Sequence, residues 1–312
     1  MRIQSFAAIA CSILAAFLFA EPVQAKTVMH KVHFPAKSIG KAHVMTSQSI
    51  SVGSVNGRFL GSASGDYLVP VPEKVSLDLD PRVGENPALL KDLAPDAAYS
   101  IRVTYSDTPE GFLPAIAKLS GLHRLDLVEC IVTANGLAQL AQLKNLERLM
   151  IENSDLKGDY GKAILKIKSL RYLSLAGNQL SPSTVAAISQ MPNLEYLCVS
   201  RCALSNDSLK SLASLKRLKF LDLSCNAGLN GTGLAYLKAC PALRSVKLPF
   251  TAIKAHDLIK LKGVPLISAQ VHEDSLSATE LSQLKKALPL CKIALSRREL
   301  RPDDNVLFAP IH

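Results

Sequence analysis

Aliphatic residues, most often leucine, recur at a fixed interval along most of the chain. In residues 122–132 they occupy the first, fourth and sixth positions, and the same spacing restarts at residues 146, 170, 194, 218 and 243. The interval is therefore 24 residues, with one step of 25. Weaker copies extend the pattern over residues 74–295. A fixed interval of this length indicates a stack of equivalent units, each burying its apolar face against its neighbours.

Each copy predicts a strand followed by a turn and a helix. Leu125 and Leu127 alternate with other residues as in a strand, so the leucines share one face. Leu209 and Leu212 are three residues apart, which predicts a helix with one buried stripe, and Asn206 and Thr232 are predicted helix N-caps. Between strand and helix, a small side chain is expected to bond backbone groups that the turn leaves unpaired. That column consists of Ser106, Cys130, Ser154, Asn178, Cys202, Asn226 and Thr251.

The pattern L-x-x-L-x-L-x-x-N/C-x-L in residues 122–132 and its copies resembles that of leucine-rich-repeat proteins. The resemblance implies an α/β fold, a curved solenoid with a concave parallel sheet and convex helices. Strands about 4.8 Å apart pack more closely than helices about 10 Å wide, so the stack is expected to bend with its sheet inside. Membership of this family implies recognition of protein partners more often than other roles, although a fold does not dictate its partner.

The first 25 residues have the pattern of a secretory signal peptide. Arg2 precedes an almost unbroken apolar run over residues 6–20, and Ala25 ends a segment of the kind that signal peptidase cleaves. The alternative is a retained membrane anchor, but a run of about 15 residues is shorter than the roughly 20 that span a bilayer. We therefore expect an exported protein, located in the periplasm, at the cell surface or outside the cell. No transmembrane segment is expected after cleavage.

Residues 26–73 lie between this leader and the repeats and have a different pattern. Val32 and Phe34 alternate with polar residues, as do Tyr67 and Val69, which predicts a small β-rich module. We expect it to cap the first strand of the repeat sheet, because an open strand edge promotes aggregation. The predicted repeat domain covers residues 74–295, and residues 296–312 form a polar, proline-containing tail that packs over the last repeat or frays.

The net charge of +10 favours anionic partners. The alternative explanation is that the charge comes from lysines on the outer helices that are only solvated. Nucleic acid is not a favoured partner. Six cysteines remain after the leader, an even number that permits disulfides in an exported protein. Cys130 and Cys202 occupy the turn column, however, so we predict buried thiols at these two positions.

The sequence contains no motif for catalysis. A nucleophile elbow, a phosphate-binding loop and a metalloprotease helix are all missing from it. His30 and His33 are three residues apart on a predicted strand, where they would point to opposite faces rather than to one metal ion. The prediction is a binding protein that is not an enzyme and holds neither a cofactor nor a metal.

Candidate binding residues are the strand positions that face away from the leucines. Three aromatic residues and two arginines occupy one such column, and tyrosine and arginine often dominate binding energy at interfaces. Aromatic rings beside cations also suit a peptide or a sugar. The alternative is that the aromatics only stabilise one another across strands. We predict a protein partner on this concave face. The alternative is an anionic glycan or lipid, and added salt would weaken the binding of such a ligand more strongly than that of a protein. The predicted centre is Arg124, Arg148, Tyr172, Tyr196 and Phe220, flanked by Arg102, Asp126, Asp222 and Lys247.

Overall fold

The computed structural model describes residues 27–46, 57–107, 109–272 and 277–296. The predicted signal peptide lies outside the described residues, and so does the predicted tail except for Ser296. Within these ranges the chain forms β-strands, α-helices and 3₁₀ helices.

Ten parallel strands, one per repeat, form most of a twelve-stranded sheet. The parallel strands are β5 Lys74–Leu79, β6 Ser100–Thr104, β7 Arg124–Val128, β9 Arg148–Glu152, β11 Tyr172–Ser174, β12 Tyr196–Cys198, β13 Phe220–Asp222, β14 Ser245–Lys247, β15 Ser268–His272 and β16 Lys292–Ser296. Two short strands that the sequence did not predict, β8 Ile131–Thr133 and β10 Asp155–Lys157, pair with each other in parallel.

Strand pairing joins equivalent positions of successive repeats. Leu149 pairs with Leu125 on one side and Leu173 on the other, and Leu197 and Leu221 continue the same line. The predicted mixed α/β fold with a long parallel sheet is therefore confirmed. Because each pairing step advances by one repeat, every position of the repeat becomes a column of side chains running across the sheet.

Short helices follow the strands, and their apolar residues join the strand leucines in one continuous core. The predicted N-caps are displaced, because Ser205 and Asn230 precede the helices and Asn206 and Thr232 lie inside them. The α-helices are Pro109–Ile116, Ala134–Gln139, Tyr160–Leu165, Pro182–Ile188, Asn206–Leu212, Gly231–Leu234 and Ala278–Ala287. The 3₁₀ helices are Pro81–Val83, Pro87–Leu90, Leu140–Gln142, Ala235–Ala239 and Ala255–Leu261.

The turn column forms a ladder of hydrogen bonds between repeats. The Asn178 side chain donates to the carbonyl oxygens of Ile151 and Leu175 at 2.7 and 2.8 Å, and its Oδ1 accepts from the Ser154 amide at 2.9 Å. The Cys202 thiol donates to the Leu175 carbonyl at 3.1 Å. These bonds satisfy buried backbone groups that the turn would otherwise leave unpaired. The prediction of buried thiols at Cys130 and Cys202 is confirmed, because both side chains are buried and reduced.

Four antiparallel strands precede the repeats. They are β1 Met29–Phe34, β2 Gly40–Met45, β3 Arg58–Ser62 and β4 Gly65–Pro70. Strand β2 pairs along the whole of β5, and β3 pairs with the other side of β2, while β1 and β4 form a separate ribbon. The first parallel strand therefore has an antiparallel neighbour in place of an open edge.

Candidate functional site

The predicted central residues lie side by side on five consecutive strands. Arg148 pairs with Arg124 and with Tyr172, and Tyr196 pairs with Tyr172 and with Phe220. The leucines that alternate with them are fully buried on the helix side of the sheet. Since side chains of a strand alternate between faces, these five residues occupy the opposite face. We refer to Arg124, Arg148, Tyr172, Tyr196 and Phe220 as the sheet-face row.

Most of the row is a continuous stack. The rings of Tyr172 and Tyr196 have centroids 6.0 Å apart, and those of Tyr196 and Phe220 are 6.1 Å apart, with interplanar angles of 24° and 25°. The guanidinium carbon of Arg148 lies 4.1 Å from the Tyr172 ring centroid, and the Lys247 ammonium lies 5.7 Å from that of Phe220. Aromatic and cation–π contacts of this kind each contribute about 1 kcal/mol. The stack therefore stabilises its own conformation.

The row is more enclosed than the sequence predicted. Phe220 is 8% exposed and Arg124 is 9% exposed, so both are buried rather than displayed. The Tyr172 hydroxyl is also buried and has no hydrogen-bond partner among the described residues, and burial raises the pKa of this phenol. The reason is the close strand spacing, which lets each long side chain cover its neighbours on the same face. The side chains of Arg148, Tyr172 and Tyr196 as a whole remain partly exposed.

Asp126 is buried beside two arginines of the same sheet face. Its side chain is 0% exposed and lies between two arginines, with Oδ2 3.6 Å from Arg102 Nη2 and Oδ1 3.7 Å from Arg148 Nε. Both distances exceed that of a hydrogen bond. A carboxylate in this position lowers the cost of holding two guanidinium groups at the sheet surface. Asp126 is therefore enclosed between the two arginines, and its predicted contact with a partner stays a prediction.

Asp222 is also buried, at 6% exposure. Its Oδ1 accepts hydrogen bonds from the Ser224 amide at 2.9 Å and the Ser224 hydroxyl at 2.6 Å. Burial raises the pKa of Asp222 and lowers that of the Arg124 guanidinium. The Asp222 carboxylate is therefore enclosed and hydrogen-bonded by Ser224, and its predicted contact with a partner stays a prediction.

Sequence reasoning missed a third buried acid on the same face, Glu152. Glu152 accepts a hydrogen bond from the Ser174 hydroxyl, and burial raises its pKa. Its outward strand position, two residues after Met150, was the available signal. Cys198 lies on this face too, and burial raises the pKa of its thiol. The acids and the thiol are enclosed, so none of them is presented to solvent as a reactive group.

A cleft of about 500 Å³ lies between the β1–β4 ribbon and the first repeats. His30, His33 and His123 contribute to its lining, and the rings of Tyr99 and His123 stack at 4.5 Å. His33 bonds Asp66 at 2.6 Å. No group of three or more metal-ligating side chains was found among the described residues. The sequence did not identify this cleft, because its walls come from segments that are distant in the chain.

Comparisons with known proteins give structural similarity only. No family model matches the chain, and no curated protein matches it. The structure of an internalin C2 from Listeria monocytogenes is similar with a TM-score of 0.49 and 19% identity, covering 69% of this chain and 93% of that one. An internalin from the same organism has a TM-score of 0.42 and 16% identity, covering 68% of each chain. In the part of the chain that the structure describes, every helix is too short or too polar to cross a bilayer.

Proposed function

We propose that this chain is a non-enzymatic binding scaffold of the leucine-rich-repeat type, which holds a protein partner against the sheet-face row. The proposal includes a curved solenoid with this face on its concave side. It also includes export by the N-terminal leader to the periplasm, the cell surface or the exterior.

The observation that carries the proposal is the stack from Arg148 to Phe220. Stacked rings are already ordered by their neighbours, so they lose little side-chain entropy when a partner binds. Tyrosine and arginine in such preorganised positions are typical of residues that dominate interface energy. Three members are partly exposed, namely Arg148, Tyr172 and Tyr196. Arg148 and Tyr196 are the proposed points of contact, because the hydroxyl of Tyr172 is buried.

Burial divides the predicted residues into two groups. Arg102 and Lys247 keep partly exposed side chains beside the row and would supply charge complementarity at its margin. Asp126 and Asp222 are buried, Asp126 beside Arg148 and Asp222 against Ser224, so neither belongs to the proposed contact surface. The proposed contact surface is thus narrower than the sequence predicted and is centred on strands β9 to β12.

The test is site-specific photocrosslinking in the native host. Tyr196 is replaced by p-benzoylphenylalanine in one variant, and Tyr236, which is 42% exposed on the 3₁₀ helix Ala235–Ala239, is replaced in a matched control. We expect a discrete protein adduct from position 196 alone, which Tyr196→Ala weakens in pull-down and Tyr236→Ala does not. Equal adducts from both positions, or none from position 196, would remove the sheet-face row as the contact surface.

A further inference from the structure

The parallel topology collects positive charge along one edge of the sheet. Because the repeat strands all run the same way, every connection from a helix to the next strand lies at the edge where strands begin. We call this the strand-start edge. Exposed cations occur in these connections, or in the last helical turn before them, in most of the repeats, although residues 189–195 contain none. They include Lys144, Lys166, Lys168, Lys216, Arg217 and Lys238.

Acidic residues do not balance this charge. Between residues 117 and 267, the connections contain two acids, Glu147 and Glu195. Glu195 is buried and already paired, with Arg171 Nη2 and Lys219 Nζ each 2.6 Å from its carboxylate oxygens. At the opposite edge, where strands end, exposed side chains include Asp107, Glu129, Asp155, Asp159 and Asp207. Among the described residues, exposed cations therefore outnumber acids at the strand-start edge, whereas the opposite edge displays these acids together with cations such as Arg201 and Lys254.

Helix capping accounts for part of this pattern. Lys144 Nζ donates to the Ala141 carbonyl at 2.9 Å, and Lys216 Nζ donates to the Ala239 carbonyl at 2.9 Å, which satisfies groups at helix ends. Lys166, Lys168 and Lys238 are different, since the ion pairs and side-chain hydrogen bonds among the described residues do not involve them. Their ammonium groups are exposed and available to an external anion.

Exposed aliphatic side chains lie at the same edge near the end of the stack. Leu290 is 83% exposed and Ile267 is 40% exposed. The two segments are adjacent, because the amide of Lys292, two residues after Leu290, donates to the Ile267 carbonyl at 2.8 Å. Exposed Lys285 and Lys286 lie on the helix Ala278–Ala287, which precedes strand β16. Exposed aliphatic side chains at an edge that also carries cations match the chemistry of a lipid interface, where an apolar layer lies beneath anionic headgroups.

We propose that the strand-start edge binds a membrane surface rich in anionic lipids. The lysines pair with headgroup phosphates, and Leu290 and Ile267 insert among the headgroups. A soluble anionic polysaccharide would use the lysines but would leave the two aliphatic side chains without a role, so lipid is favoured. The strand-start edge is separate from the sheet-face row. An experiment that rejects lipid binding at this edge therefore leaves the proposed protein binding at the row unaffected, and the reverse also holds.

The experiment is sedimentation of the full chain with vesicles made of equal parts phosphatidylglycerol and phosphatidylcholine, compared with phosphatidylcholine alone. Lys166→Glu plus Lys168→Glu is compared with Arg201→Glu plus Lys254→Glu, which reverses two exposed cations away from this edge. Both variants change the net charge equally. We expect the first pair to weaken binding roughly tenfold or more and the control pair to have a much smaller effect. Circular dichroism of each variant establishes that it is folded.

Leu290→Ser separates lipid from glycan. It should weaken binding to anionic vesicles and leave binding to soluble polygalacturonate unchanged. Equal binding to both vesicle types, or equal losses in the two charge-reversal variants, would overturn the proposal. Vesicle binding that is insensitive to Leu290→Ser and fully competed by polygalacturonate would assign the edge to a glycan instead.

Discussion

At the residue scale, the sequence predicts on which face of the sheet a side chain lies, but it does not predict how deeply that side chain is buried. The alternation of leucines places Tyr172, Tyr196 and Phe220 correctly on one face and in one line. Their exposure depends on how the side chains of adjacent strands cover one another, which the period of the pattern does not contain. Glu152 was missed for the same reason, because its burial arises from neighbours on other repeats.

Glu152 provides a pH-dependent test of this burial. Its pKa is raised in the folded protein by burial, above its ordinary value of 4.5. A carboxylate with a raised folded pKa supports folding below its unfolded pKa, and this contribution is lost as pH rises through the folded pKa. Glu152→Gln should therefore raise the unfolding midpoint at neutral pH, because the amide carries no buried charge. The difference from wild type should shrink as pH falls below 4.5.

The measurement is urea unfolding at a series of pH values. Glu129→Gln, which neutralises an exposed carboxylate one repeat earlier, is the control and should show little change at any pH. A constant difference between Glu152→Gln and wild type from acidic to neutral pH would show that titration of Glu152 does not contribute to stability.

At the element scale, each repeat changes direction through a residue in the left-handed backbone region. The residues just after the strands have φ values near +50° to +75° in repeat after repeat, yet Gly177 is the single glycine among those described in this column. The others are Tyr105, Glu129, Asn153, Arg201, Cys225 and Phe250. The sequence did not reveal this column, because glycine is its usual signal and six members carry side chains. The neighbouring turn column, which includes Asn178 and Cys202, could be predicted from the sequence, because its side chains themselves form the hydrogen bonds to the backbone.

Gly177→Ala tests the geometry of this turn. At Gly177, φ is +74°, and a Cβ would lie 1.9 Å from Asn153 Oδ1. The substitution therefore combines backbone strain with a steric clash, and we expect a loss of about 2 to 3 kcal/mol in the free energy of unfolding. Gly65→Ala is a matched control, because φ is +72° there and no atom lies within 4 Å of the added Cβ.

The control should cost about 1 kcal/mol, which is the strain alone. Denaturant unfolding of both variants gives the comparison. Equal losses at the two positions would mean that the Asn153 side chain moves aside freely, so that the turn column is less tightly packed than the structure indicates.

At the scale of the whole molecule, the architecture is the part most open to prediction. The 24-residue interval defines one strand per repeat, and stacking then fixes which residues become neighbours. The fold of the segment before the repeats is harder to predict, because the sequence of residues 26–73 does not repeat. The antiparallel pairing of β2 with β5, from Gly40 with Leu79 to Met45 with Lys74, depends on contacts between segments that have no shared pattern.

That pairing leads to a prediction about association. Ala42 is fully buried in the middle of β2, between β3 and β5, so Ala42→Pro removes a backbone donor and introduces a clash within a central strand. Loss of β2 would leave the edge of β5 unpaired at one end of a long parallel sheet, and an unpaired edge recruits other chains. We expect concentration-dependent oligomers in light scattering, with the helical signal of the repeats largely retained. Lys37→Pro, in an exposed bend between β1 and β2, should remain monodisperse. A monodisperse Ala42→Pro protein with an unchanged unfolding midpoint would show that β5 does not require its antiparallel neighbour.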